Sequence, residues 1–120
     1  MADNQAVGKK GEAIAEKYLL KNGYTIIAKN YRTRYGEIDL IIKKKSQIRF
    51  IEVKTRIGIV KGQPYEAVNY YKIRHLQKAV EYFLLQKKLK NYKLSLDVVS
   101  IVLKKDLQIE KIVFLENINI

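Results

Sequence analysis

Two apolar segments joined by a short basic turn constrain this chain more than any other feature. Residues 36–42 read Gly-Glu-Ile-Asp-Leu-Ile-Ile and residues 48–54 read Ile-Arg-Phe-Ile-Glu-Val-Lys, with Lys43-Lys-Lys-Ser-Gln47 between them. β-Branched and apolar residues dominate both, as they do in strands, and so short a connector joins antiparallel neighbours. A turn near Lys45-Ser46 pairs positions whose numbers sum to 91, as 45 and 46 do. Asp39 then lies opposite Glu52, with their Cβ atoms about 4.5–5.5 Å apart. Glu52 and Lys54, two residues apart, share a face. Two facing carboxylates repel unless a cation sits between them, and an oxygen-lined site suits Mg²⁺ or Mn²⁺. A bare carboxylate buried at Asp39 is costly, so either the strand end is solvated or a cation pairs with it. Glu52-Val53-Lys54 taken alone also fits any half-exposed strand carrying an ion pair.

The rest of the chain supplies what packs around this hairpin. Asp3 and Asn4 offer N-cap side chains for a helix to about Lys21. Asn22-Gly23 ends it. Helical periodicity places Gly8, Glu12, Ala15 and Leu19 on one face, small enough in part to lie close on a sheet. Residues 24–28 read as a strand, and Lys29 to Tyr35 as a basic, aromatic connector. Residues 56–64 carry two glycines and the only proline and read as a flexible basic loop. A long amphipathic helix follows, from Tyr65 or Asn69 to Lys88, with Ile73, Leu76, Val80, Phe83 and Leu84 at helical spacing. Lys93 to Lys104 reads as a buried strand and Ile109 to Leu115 as an edge strand. The order is α-β-β-β-α-β-β. Apolar runs in the hairpin strands call for helices on both faces, so the expected fold is α/β, a three-layer sandwich around a central mixed sheet.

At 120 residues, with 48% hydrophobic content and 10% aromatics, the chain reads as one globular domain spanning 1–120. It has no cysteine, which excludes disulfides and thiolate metal sites. No signal-peptide h-region or membrane-length apolar run is legible, so the expectation is a soluble, cytoplasmic protein. Lys and Arg outnumber Asp and Glu by 24 to 12, a net charge of +12. Such a bias points to a polyanionic partner, nucleic acid first and an anionic membrane surface second. Arg32, Arg34, Arg56, Lys61 and the run Lys43-Lys-Lys45 flank the acid pair and are candidates for phosphate contacts. Tyr31 and Tyr35 interleave with the arginines and are candidates for base stacking, or else core or rim residues. Tyr70 and Tyr71 read as packing residues. His75 is the only histidine and reads as a surface residue. No helix-turn-helix or zinc-finger signature suggests sequence-specific readout. Asp97 and Glu66 read as structural, the former paired with a lysine.

Asp39 followed across a β-turn by Glu52-x-Lys54 resembles the active-site pattern of the PD-(D/E)XK nuclease superfamily. More narrowly, the chain resembles the small bacterial YraN-like family of endonuclease-related proteins, itself similar to Holliday-junction resolvases. The stretches that carry the likeness include Gly8-Lys-Lys-Gly-Glu-Ala-Ile-Ala15, Asn30-Tyr-Arg32, Gly36-Glu-Ile-Asp-Leu-Ile41, Phe50-Ile-Glu-Val-Lys-Thr-Arg56, Pro64-Tyr-Glu-Ala-Val68 and Leu96-Asp-Val-Val99. Ile38 stands where the superfamily's signature proline would be. The resemblance implies a restriction-endonuclease-like α/β/α fold and hydrolysis of phosphodiester bonds, with DNA as the first substrate. It implies Mg²⁺ or Mn²⁺ held by Asp39 and Glu52, and Lys54 at the attacking water or the phosphate. It also implies Glu12 as a helix-one metal ligand, against the plainer reading of a helix acid bonded to Lys9 or Lys10. Lys72, early in the long helix, matches residues that contact phosphate in such nucleases, and resolvase-like relatives work as homodimers. Three classes remain open from sequence. They are a metal-dependent nuclease, a non-catalytic nucleic-acid-binding protein on a nuclease fold, and a basic protein that docks on an acidic surface.

Overall fold

A computed structural model describes residues 4–58 and 70–118. In chain order the elements are α1 (Asn4–Lys21), β1 (Thr25–Thr33), β2 (Gly36–Lys44), β3 (Gln47–Ile57), α2 (Tyr70–Lys87), β4 (Lys93–Leu103) and β5 (Ile109–Leu115). The sheet runs β1-β2-β3-β4-β5. It is mixed, because β3 and β4 pair in parallel while the other neighbours are antiparallel. The parallel pair is possible because a crossover containing α2 connects it. The element order and the edge position of β5 match the sequence pattern. Among the described residues no helix is long and apolar enough to cross a membrane.

Two clusters of buried side chains lie on opposite faces of the sheet. One packs Val7, Ala15 and Leu19 of α1 on Leu40, Ile42, Ile51, Val99, Ile101 and Leu103. The other packs Leu76, Ala79 and Phe83 of α2 on Ile38, Ile41, Ile48, Phe50 and Leu96. This is the three-layer arrangement that doubly apolar strands require.

α1 ends as the Asn-Gly pair predicts. Gly23 has φ +90°, and the Tyr24 N–H donates to the Leu19 carbonyl at 3.1 Å, which closes the last turn. Its buried stripe is Val7, Gly11, Ala15 and Leu19. The first half is thus rotated by one residue from the expected Gly8 and Glu12. The cause is the close approach at Gly11, where a Cβ would lie 1.7 Å from Thr55 Oγ1; at Gly8 it would meet nothing within 4 Å. Only at position 11 must the residue lack a side chain for α1 to seat on β3.

The connector expected at Lys29–Tyr35 is mostly strand. β1 continues to Thr33 because it stays paired with β2, through Tyr31↔Ile38, Arg32↔Glu37 and Thr33↔Gly36. Backbone pairing overrides the polar composition of this stretch. The ladder shifts register between Ile26 and Ala28; Asn30 has φ +49°, and Asn is among the few residues that tolerate that region. β3 likewise runs past Thr55 to Ile57, held in parallel register by β4 up to Ile57↔Leu103. Lys61, Gly62, Pro64, Glu66, Asp3 and the expected start of the second helix lie outside the described residues.

Candidate active site

The β2–β3 ladder runs from Lys44↔Gln47 to Leu40↔Ile51, so paired numbers sum to 91 as the turn at Lys45-Ser46 requires. Lys45 opens that turn with φ +55°. The next step in this register sets Asp39 against Glu52. There the two strands part: Gly36, Glu37 and Ile38 remain paired with β1, and Glu52 to Ile57 remain paired with β4. Strand alternation also breaks here. Ile38 packs in the α2-side cluster and Leu40 in the α1-side cluster, although two residues apart on a regular strand would share a face. Asp39 sits at the break. Its Oδ2 accepts the Val53 N–H at 2.8 Å, in the place a ladder bond would occupy.

The site collects charge in a partly closed space. Glu52 is 3% exposed. Its Oε2 lies 3.2 Å from Lys72 Nζ, reaching down from the first turn of α2, and 3.8 Å from Lys54 Nζ on its own strand. The groups that act on Asp39 are carboxyls and a backbone N–H. Burial raises its pKa most, followed by the hydrogen bond to Glu52 and that residue's charge. The Val53 N–H opposes the rise and Glu12 adds to it, and Asp39 is pushed from 3.8 up to about 8. The two carboxyls therefore compete for one proton, as acids sharing a site do. A divalent cation would replace that proton. Mg²⁺ is ordinarily held by one or two carboxylates, with water and phosphate oxygens completing its shell, so this donor pair fits it.

The other sequence candidates are distributed unevenly. Glu12 is half-buried and near enough to influence Asp39, but its Oε1 accepts from Asn30 Nδ2 at 3.0 Å. The partner is thus Asn30, where the plainer sequence reading points to Lys9 or Lys10. Among the described residues, no three of His, Cys, Asp and Glu group closely enough to hold a metal ion by themselves. Arg32 pairs with Glu37 at 3.6 Å on the surface. Arg34 donates to the Tyr35 hydroxyl at 2.8 Å and lies 5.0 Å from that ring. Arg56 is half-buried near the end of β3. Lys44 caps the Asn22 carbonyl at 2.8 Å, and Lys43 lies 5.1 Å from the Tyr92 ring. Tyr31 meets Phe83 edge-on at 5.2 Å and bonds to Gln86 through its hydroxyl, so it packs α2 against β1.

Two expectations change. Asp97 is fully buried, and its partner is Arg49, at 3.0 Å, not a lysine. Arg49 sits in the adjoining strand, where an arginine within an apolar run was the available signal. Tyr70 and Tyr71 are 67% and 74% exposed and touch each other at 5.7 Å, so they do not serve the core. Their position one and two residues before Lys72 was the signal that they adjoin the site.

The family model described as "Uncharacterised protein family UPF0102" matches residues 11–101, a span that holds Glu12, Asp39, Glu52, Lys54 and Lys72. The UPF0102 protein of Clostridium acetobutylicum is 40% identical over 114 residues, covering 95% of this chain and 93% of its own. That of Clostridium tetani is 42% identical over 99 residues, 82% of this chain and 81% of its own. That of Caldanaerobacter subterraneus subsp. tengcongensis is 39% identical over 111 residues, 92% and 91% of the two chains. With a family match over most of its length and relatives of about 40% identity that cover more than four fifths of it, the chain belongs to the UPF0102 family, the YraN family its sequence pattern resembles.

Proposed function

We propose that this chain is a metal-dependent nuclease that hydrolyses phosphodiester bonds in DNA and selects its substrate by shape. The observation that carries this reading is the Asp39–Glu52 pair at the parting of β2 and β3, flanked by Lys54 and Lys72. An acid pair that must share a proton is a poor structural element and a good cation site. When bound there, Mg²⁺ or Mn²⁺ would polarise the scissile phosphate and acidify the attacking water. Asp39 and Glu52 would hold it, with a backbone carbonyl beside Glu52. Lys54, half-exposed on the same face as Glu52, orients the water or stabilises charge building on the phosphate oxygens. Lys72 reaches the same space from the helix side and pairs a phosphate entering between helix and strand. The net charge of +12 draws the polyanion regardless of sequence.

The test is a panel of branched, nicked, duplex and single-stranded DNA and RNA, with Mg²⁺ and with Mn²⁺, run beside Lys54→Ala. The expected result is cleavage of a branched or partly unpaired DNA that the variant lacks. Undiminished cleavage by Lys54→Ala rules out this site. Salt-sensitive binding with no cleavage by the wild type would identify a non-catalytic nucleic-acid-binding protein.

A further inference from the structure

The solvent face of α2 carries a row of rings and cations, beside the exposed Leu85 and Glu81. Tyr71, Arg74, Lys78 and Tyr82 recur at i, i+3, i+7 and i+11, one face of a helix, and all four are exposed. Tyr70 extends the row at its start. Scattered exposed rings need no explanation, but these stand in line with cations between them. The one acid of the helix, Glu81, lines a groove with Val80, Leu84 and Leu94. The row also continues onto the sheet, because Lys78 Nζ lies 5.7 Å from the Tyr35 ring and Tyr82 lies 6.5 Å from the Tyr31 ring. At its other end it adjoins Lys72, which reaches Glu52 at 3.2 Å.

We propose that this face of α2 is a track for an unpaired nucleic-acid strand, which leads the strand to or from the acid pair. Bases stack on the rings of Tyr71 and Tyr82, and the cations between them take the phosphates. Stacking on aromatic side chains tolerates any base, because every base has a π-face, but requires that the base be free of a duplex. From Tyr71 to Tyr82 the helix rises about 16 Å, the length of roughly five stacked nucleotides. The inference rests on the nuclease reading only for where the strand leads. It narrows shape selection to substrates with unpaired bases beside the scissile phosphate, such as flaps or splayed arms.

The test is fluorescence anisotropy of the whole chain in EDTA, where no metal-dependent cleavage occurs. The probes are a labelled dinucleotide, a hexanucleotide and a blunt duplex. The hexanucleotide should bind more tightly than the dinucleotide. Tyr71→Ala should weaken hexanucleotide binding about tenfold while changing duplex binding less than about twofold. Tyr71→Phe, which keeps the ring, should bind as wild type. Lys78→Ala should lower the salt slope for the single strand by about 0.7. No loss in Tyr71→Ala, or equal loss for both probes, overturns the track. If the wild type still cleaves DNA with Mn²⁺ in that event, the nuclease reading survives alone. Tyr71-dependent single-strand binding without any cleavage supports the track and removes the nuclease reading.

Discussion

Asp97 and Asp39 are both acids set in apolar strands of one sheet, and their surroundings differ in kind. Asp97 is fully satisfied. Arg49 Nη1 lies 3.0 Å from its Oδ2, the Ser95 hydroxyl donates at 3.1 Å, and the Asn117 N–H donates to Oδ1 at 2.7 Å. Asp39 receives one backbone N–H and faces another carboxyl. The Asp97 cluster ties β3, β4 and the segment after β5 together. The Asp39–Glu52 pair lies where two strands separate; Lys72 and Lys54 stand beside Glu52, while the groups that shift Asp39 are two carboxyls and one backbone N–H. A buried acid that its own fold neutralises is structural; one set against a second carboxyl is a candidate functional group.

The largest test of this contrast is Asp97→Ala. It strands the Arg49 guanidinium with Glu116, 51% exposed, as its remaining acid partner, and should cost about 3–5 kcal/mol of stability with or without metal. Urea unfolding measures it, and a loss under about 1 kcal/mol would break the structural half of the comparison. Asp39→Asn should do the reverse. It removes the acid–acid conflict, so unfolding resistance at pH 8 should hold or rise, while Mn²⁺-dependent cleavage falls by about a hundredfold or more. Cleavage rates on the best substrate of the panel, beside a denaturation curve, read both effects from one preparation.

A pH series sharpens the point. Asp39 titrates near 3.8 unfolded and at about 8 folded, so between those values the folded state binds more protons than the unfolded one. Without metal, this group makes stability fall as pH rises through that window. Mn²⁺, which competes with the proton, should restore most of the loss at the upper end, and its affinity should increase with pH up to about 8. Urea midpoints at both ends of the window, with and without Mn²⁺, test this; a slope unchanged in Asp39→Asn would assign it elsewhere. The smallest effect is expected from Glu12→Gln. Its Oε1 is already bonded to Asn30, so calorimetry should show Mn²⁺ affinity reduced no more than a few-fold. A loss as large as that of Asp39→Asn would make Glu12 a full ligand.

Much of this site was legible along the chain because it depends on local geometry. A two-residue turn sets the hairpin register, and a period of two assigns faces. Both put Asp39 against Glu52 and align Lys54 with Glu52 without reference to any distant residue. What was misjudged depended on partners far off in sequence. The strand character of Tyr31–Thr33 comes from pairing with Gly36–Ile38, and the partner of Asp97 comes from the parallel register of β3 with β4, 48 residues apart at Arg49 and Asp97. The exposure of Tyr71 depends on which side of α2 meets the sheet, and that side is chosen by Leu76, Ala79 and Phe83.

By itself, the sequence determined the element order, the two apolar faces, the hairpin register, the charge of +12 and the family. Each follows from composition or from periodicities that a few consecutive residues express. Only the tertiary structure decided that β2 and β3 separate at Asp39, that α1 seats through Gly11 and not Gly8, and that Lys72 of α2 reaches Glu52. These depend on how helices pack across a sheet, where a rotation of one residue moves a side chain about 100° around the axis. That small rotation separates an acid that lies on the rim of the site, Glu12, from the two that face each other within it.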